Sequence, residues 1–139
     1  MEITANAIQT VAANQNIQFT ETAIPGSCSL IHREGSGLVT LRGLTTQARA
    51  RFRVQFGGNA ALSTGATVAP VQFVIAVGGE PILSTQMIAT PAAVGNYFNV
   101  SASIFLDVPA GCCQNISIKN TGTTSADIQN ANLIIERVA

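Results

Sequence analysis

A chain of 139 residues is long enough for one hydrophobic core that buries roughly 68–70% of its unfolded surface, without help from disulfides or metal. Charge is scarce and balanced: seven basic residues face seven acidic ones and together make up 10% of the chain, whereas 47% is hydrophobic. The balance excludes a general electrostatic drive toward nucleic acid or acidic membranes, and no apolar run reaches the ~18 residues of a membrane span. Asn, Gln, Ser and Thr must cover the outside in place of charges, or neighbouring subunits must hide part of it. The N-terminal stretch carries Glu2 and no basic run, so a protein made in the cytoplasm without a signal peptide is expected.

The elements are short and extended. Residues 7–11 and 16–19 present Ile8, Val11, Ile17 and Phe19 as apolar anchors on either side of a polar break at 12–15. Pro25-Gly26 signals a turn. After it, residues 27–33 place Cys28, Leu30 and His32 on one side and Ser29 and Ile31 on the other. A tight connection at 34–37 leads to a short strand at 38–41, a spacing that suits a hairpin. The most regular stretch follows at 47–56. Ala48, Ala50, Phe52, Val54 and Phe56 alternate there with Gln47, Arg49, Arg51, Arg53 and Gln55. That is a strand with one buried face and one face carrying three of the seven basic residues. Gly57-Gly58-Asn59 is expected to end it, and 60–69 to form a loop.

Residues 71–77 are apolar on both faces, because Val74 and Ala76 fall between Val71, Phe73, Ile75 and Val77. Such a strand is central in a core or sits at a subunit contact. Residues 78–81 read as a hairpin turn, 82–88 as a weak strand and 90–95 as a loop. Residues 96–108 alternate again: Phe98, Val100, Ala102, Ile104 and Leu106 point inward, against Tyr97, Asn99, Ser101, Ser103 and Phe105. Pro109-Ala110-Gly111 turns the backbone into 114–119, where Ile116 and Ile118 share a face. A polar loop at 121–125 precedes 128–138, where Ala131, Leu133 and Ile135 alternate with Asn132, Ile134 and Glu136. No window has the helical period. About eight to ten short strands at roughly ten-residue spacing predict one all-β domain over 1–139, a sandwich, jelly roll or barrel.

In this order the strands resemble the C1q/TNF-like jelly roll, including the trimeric heads of bacterial and phage surface proteins. The resemblance is carried by V-A-A-N-Q-N-I-Q-F (11–19), G-S-G-L-V-T-L-R-G-L (35–44) and the alternating strand with Phe52 and Phe56. Two later segments continue it, F-L-D-V-P-A-G-C-C-Q-N-I-S-I-K-N (105–120) and N-A-N-L-I-I-E-R-V (130–138). It implies an antiparallel jelly-roll sandwich assembled as a homotrimer about a three-fold axis, with Val74, Ala76 and Phe105 lining the contact. The protein lacks the aromatic-rich core of the metazoan members and any acidic cluster like their calcium sites, so those ligand functions do not carry over. Its character is nearer to phage head-decoration or head-fibre proteins. That implies a non-enzymatic structural protein on a virion or particle surface, with itself and a capsid protein as partners. The alternative is a trimeric surface head that binds a glycan or host receptor.

No constellation for catalysis, a cofactor or a metal is visible. His32 is the only histidine, and with Glu34 alone nearby it lacks the partners of a metal ligand or general base. Cys112 or Cys113 as nucleophile would need it as base, and no local motif supports that. Cys28, Cys112 and Cys113 read as reduced thiols: adjacent cysteines close only a strained ring, and no C-x-x-C is present. The arginine row is the sharpest chemical feature. Arg49, Arg51 and Arg53 stand about 6.6–7 Å apart on one strand face and repel unless anions face them. Intramolecular candidates are Glu21, Glu34, Asp107, Glu136 and the C-terminal carboxylate; a subunit or capsid contact, or an anionic ligand or glycan, are the others. The residues expected to meet a partner are thus Arg49, Arg51, Arg53, Val74, Ala76 and Phe105. Asn99-Val-Ser and Asn115-Ile-Ser match glycosylation sequons inside predicted strands and are read as accidental.

Overall fold

Alternating stretches become strands, and the strands sort into two antiparallel sheets in a computed structural model that describes residues 1–43, 48–111 and 113–139. In sequence order they are β1 (Glu2–Ala5), β2 (Gln9–Val11), β3 (Glu21–Ile24), β4 (Leu30–His32), β5 (Val39–Arg42) and β6 (Arg49–Leu62). The second half supplies β7 (Val71–Val77), β8 (Glu80–Pro81), β9 (Met87–Ala89), β10 (Phe98–Pro109), β11 (Cys113–Asn120) and β12 (Ala126–Arg137). A single 3₁₀ turn, Leu83–Thr85, is the only helical piece among the described residues. The first sheet has the order β10-β6-β12-β1-β3 with β2 beside β12; the second has β4-β5-β11-β7-β8 with β9 beside β7. From β5 to β7 and again from β9 to β12 the backbone changes sheet at each connection, which is the weave of a jelly roll. The two inner faces share one core.

β6 is the spine of the first sheet. It pairs with β10 on one edge in an unbroken register from Phe98↔Ala60 to Pro109↔Arg49, and with β12 on the other. Its inward row of Ala50, Phe52, Val54, Phe56, Ala60 and Leu62 is buried, and the Phe56 ring meets Phe19 edge to face at 6.5 Å. The expected stop at Gly57-Gly58-Asn59 does not occur. The strand runs on to Leu62, so only the later part of the predicted 60–69 loop remains, while Gln47 lies outside the described residues. Two glycines are poor strand formers, but here both edges are hydrogen-bonded and that pairing outweighs local propensity. Opposite Gly58, β12 carries a bulge between Gln129 and Asn132, with Asn130 at φ 54. The bulge switches inward parity from Ala126 and Ile128 to Ala131, Leu133 and Ile135. It also separates the part of β12 paired with β2 from the part paired with β1.

Several local expectations change. β1 and β3 were not anticipated, being four residues long with few apolar positions, and they pair with each other beside β12. Cys28 is not on the inner face: the backbone turns at 27–30, where Leu30 N–H donates to Ser27 O at 3.0 Å, so Cys28 is exposed and Ser29 buried. Glu80 and Pro81 belong to β8 rather than to a turn, because Gly78 (φ 60) and Gly79 (φ 85) alone form a two-residue hairpin with Val77 opposite Glu80. The predicted strand at 82–88 splits into the 3₁₀ turn and β9, and buried Thr85 accepts from Ile75 N–H at 3.0 Å and donates to Ile82 O at 2.7 Å. Asn120 is the chief buried polar link. Its amide donates to Val11 O at 2.9 Å and Thr124 O at 3.1 Å and accepts from Gly122 N–H at 2.9 Å.

Two substitutions separate these contributions. Phe56→Ala leaves a cavity under both sheets and should lower the free energy of unfolding in urea by roughly 3–5 kcal/mol. Asn120→Ala strands the Val11 and Thr124 carbonyls and should cost about 1–3 kcal/mol. A Phe56→Ala loss under about 1 kcal/mol would contradict the assignment of this ring to the centre of the core.

Candidate functional site

The outer face of the first sheet gathers the predicted arginine row and its partners, and register decides which partners those are. The antiparallel pairing sets Asp107 directly opposite Arg51 and Phe105 opposite Arg53, while Glu136 flanks Arg53 from β12. Arg51 donates to Asp107 through Nε at 2.9 Å and Nη2 at 3.2 Å, a bidentate fork, and Arg49 Nη1 stands 3.4 Å from the same carboxylate. Arg53 Nε lies 3.1 Å from Glu136 Oε1 but off the N–H direction, so that contact is one of charge rather than a hydrogen bond. Of the five carboxylates the sequence offered, Asp107 and Glu136 are the ones the described side chains use.

The hydrogen bond from Arg51 holds the Asp107 carboxyl below the usual carboxylate range; partial burial opposes this, and the Arg51 and Arg49 charges add to it. The same bond raises the Arg51 guanidinium. The pairs remain partly exposed, so they orient the row more than they stabilise the fold. Beside them Phe105 is 63% exposed, and an open depression of about 380 Å³ is lined by Arg51, Phe105 and Asp107. Further along the same face the side chains lose charge: Gln55, Gly57 and Asn59 on β6 face Ser103, Ser101 and Asn99 on β10, with Ile134 and Asn132 opposite on β12.

The six residues expected to meet a partner therefore separate into two groups. Arg49, Arg51, Arg53 and Phe105 stand together on the first sheet. Val74 and Ala76 lie on β7 in the second sheet with 0% exposure, covered within the protomer and left with no surface for a neighbour. Sequence alone could not distinguish burial within the protomer from burial against a neighbour.

The other candidates stay apart. His32 Nε2 is 3.0 Å from Ser36 O, an acceptor, so that nitrogen carries the proton and Nδ1 is left without a partner. His32 pairs with Val39 and Cys113 with Arg42, at opposite ends of β5 and on opposite faces of the sheet. The separation is about 10 Å along the strands and about 9.6 Å across them, which rules out a thiol–imidazole pair. Cys28 and Cys113 are free and exposed, and Cys112 lies outside the described residues. Among the described residues no group of three His, Cys, Asp or Glu side chains could hold a metal, and no helix is long and apolar enough to cross a membrane. Both sequon asparagines sit in strands; Asn115 accepts from Thr40 Oγ1 at 2.7 Å.

No family model matches this protein, and no curated protein matches it by sequence. Solved structures do. The globular domain of zebrafish complement 1qA is similar at a TM-score of 0.55 and 8% identity, covering 96% of this chain and 93% of its own. Murine APRIL at pH 5.0 is similar at 0.57 and 9% identity, covering 92% and 97% respectively, and its pH 8.5 structure at 0.56 and 9%. At such identities the likeness is one of fold, and the fold is that of the C1q/TNF-like jelly roll.

The fork has a titration consequence. A carboxyl whose folded pKa is depressed contributes stability above its unfolded pKa and loses that contribution as pH falls through the lower folded value. NMR titration should thus give Asp107 a midpoint below the ordinary carboxylate value of about 3.9, and Arg51→Gln should move it back up. A midpoint that ignores Arg51→Gln would show that the fork does not exist in solution.

Proposed function

We propose that this is a non-enzymatic structural protein, a jelly roll that assembles into homotrimers and decorates a phage capsid or a similar particle. The observation that supports it best is the outer face of the first sheet. This face carries no charged side chain across Gln55, Gly57, Ser101, Ser103, Asn132 and Ile134; it is bordered on one side by exposed Phe105 and the paired arginine row and on the other by Glu2 of β1, whose carboxylate accepts from the Asn132 amide. Interface cores are depleted of charge and anchored by aromatics, with polar rims, and this face has that composition. A three-fold contact joins two different patches, and the face supplies one of them. The arginines, with carboxylates of the same protomer beside them, serve as a rim that fixes register and excludes mismatched partners rather than as a bare anion trap. The C1q/TNF-like fold and the low charge support the same reading, which puts the protein on a virion or particle surface with a capsid protein as its second partner.

One observation favours a second reading, a surface head that binds a glycan or host receptor. The open ring of Phe105 beside the Arg51–Asp107 fork offers an apolar platform next to paired donors and acceptors around a depression. Sedimentation equilibrium distinguishes the two. The structural reading expects the mass of three 14.4 kDa protomers at micromolar concentration, and a smaller species when Phe105→Glu places charge on the face without lowering the melting temperature. A one-protomer mass contradicts the trimer. An unchanged trimer that loses glycan-array binding with Phe105→Ala favours the second reading.

A further inference from the structure

One edge of the sandwich is unlike the others. Among the described residues the remaining edge strands are short: β3 and β4 have four and three residues, β8 and β9 two and three. β10 has twelve, pairs with β6 without a register shift, and among the described residues has no strand on its other side. Backbone N–H and C=O groups along such an edge invite another strand, and proteins usually block them with lysines, prolines or bulges, or keep the strand short. β10 has none of these before Pro109, and its single charge is Asp107. Its inward side chains are also incompletely covered: Ala102, Ile104 and Leu106 pack on the core yet stay partly open. β9 and the 3₁₀ turn lie against β10 without pairing to it, and they leave Ile88 57% and Leu83 72% exposed beside it.

We propose that this edge is a two-fold contact between copies of the protein, β10 pairing antiparallel with the second copy's β10 about a dyad at Ser103. The sequence is self-complementary in that register. On the outer face Ser103 meets Ser103, Ser101 meets the second copy's Phe105, and Asn99 meets Asp107, so the only charge on the strand faces an amide and no like charges oppose. On the inner face Ala102 meets Ile104 and Leu106 meets Val100, which covers the three side chains that a single protomer leaves partly open, while Val100 and Val108 are already buried within the protomer. The contact is isologous and joins the first sheets of two copies into one continuous sheet. It does not depend on the trimer: it stands alone as a dimer, and in a particle it links trimers pairwise.

Cross-linking tests the register. In a background with Cys28, Cys112 and Cys113 replaced by serine, Ser103→Cys should form an interchain disulfide under mild oxidation, because directly opposed residues lie about 4.5–5.5 Å apart. Ser101→Cys should not, since the two positions are offset by about 13 Å along the strands. Ser103→Lys sets two ammonium groups face to face. It should weaken the dyad dissociation constant by at least about tenfold with the melting temperature unchanged. Equal cross-linking at 101 and 103, no cross-linking at 103, or an oligomer indifferent to Ser103→Lys overturns the proposal, whichever occupant the edge then has. The outcome is separable from the trimer: a dimer that cross-links at 103 keeps this contact and rejects the three-fold reading, whereas a trimer that fails to cross-link does the reverse.

Discussion

The double pairing of β6 is the constraint on which the rest of the structure depends. A fourteen-residue strand flanked on both edges commits its neighbours to a register, and from that register follow the inward row that forms the core and the outward row that forms the charge ladder. The two rows are different kinds of interaction. Burial of Phe52, Phe56 and their neighbours supplies the free energy of folding, at roughly 1.5–3 kcal/mol for each large apolar group. The arginine row on the reverse face adds little stability, because its pairs with Asp107 and Glu136 stay partly exposed. The β12 bulge connects the two halves of the first sheet: it lets β12 serve β2 and β1 in succession.

Much of this was legible in the alternation. The inward residues Ala50 to Phe56 of β6, Val100 to Leu106 of β10 and Ala131 to Ile135 of β12 could be read one by one, because a strand with one buried face writes its period directly into the sequence. The ends were harder. Gly57-Gly58 carries the composition of a turn, and only pairing on both edges, a tertiary fact, keeps it extended. β1 and β3 were invisible because four residues with one or two apolar positions have no period to detect. For the site, the identity of the row was legible and its partners were not. Five carboxylates could have faced the arginines, and the choice of Asp107 and Glu136 is made by cross-strand register, which no single sequence states. Val74 and Ala76 show the same limit from the other side: an apolar pattern on both faces signals burial without saying what does the burying.

The surface that results is uneven. Part of one sheet face is free of charge beside an exposed Phe105, and one edge strand of twelve residues pairs on one side only, while every other edge among the described residues is short. A protein with 10% charged residues has few means of keeping such surfaces apart in solution. The proposed assembly accounts for the face, the edge and the composition with one physical cause.

Hydrogen exchange tests the central role of β6 most directly. If the strand is paired on both edges as far as Leu62, its amides from Phe52 through Ala60 should be among the slowest in the protein, exchanging only on global unfolding, with Gly57 and Gly58 as protected as Val54. Rapid exchange from Gly57 onward, at the rate of the 63–70 loop, would show that the strand ends where its glycines begin and would contradict the architecture built on it.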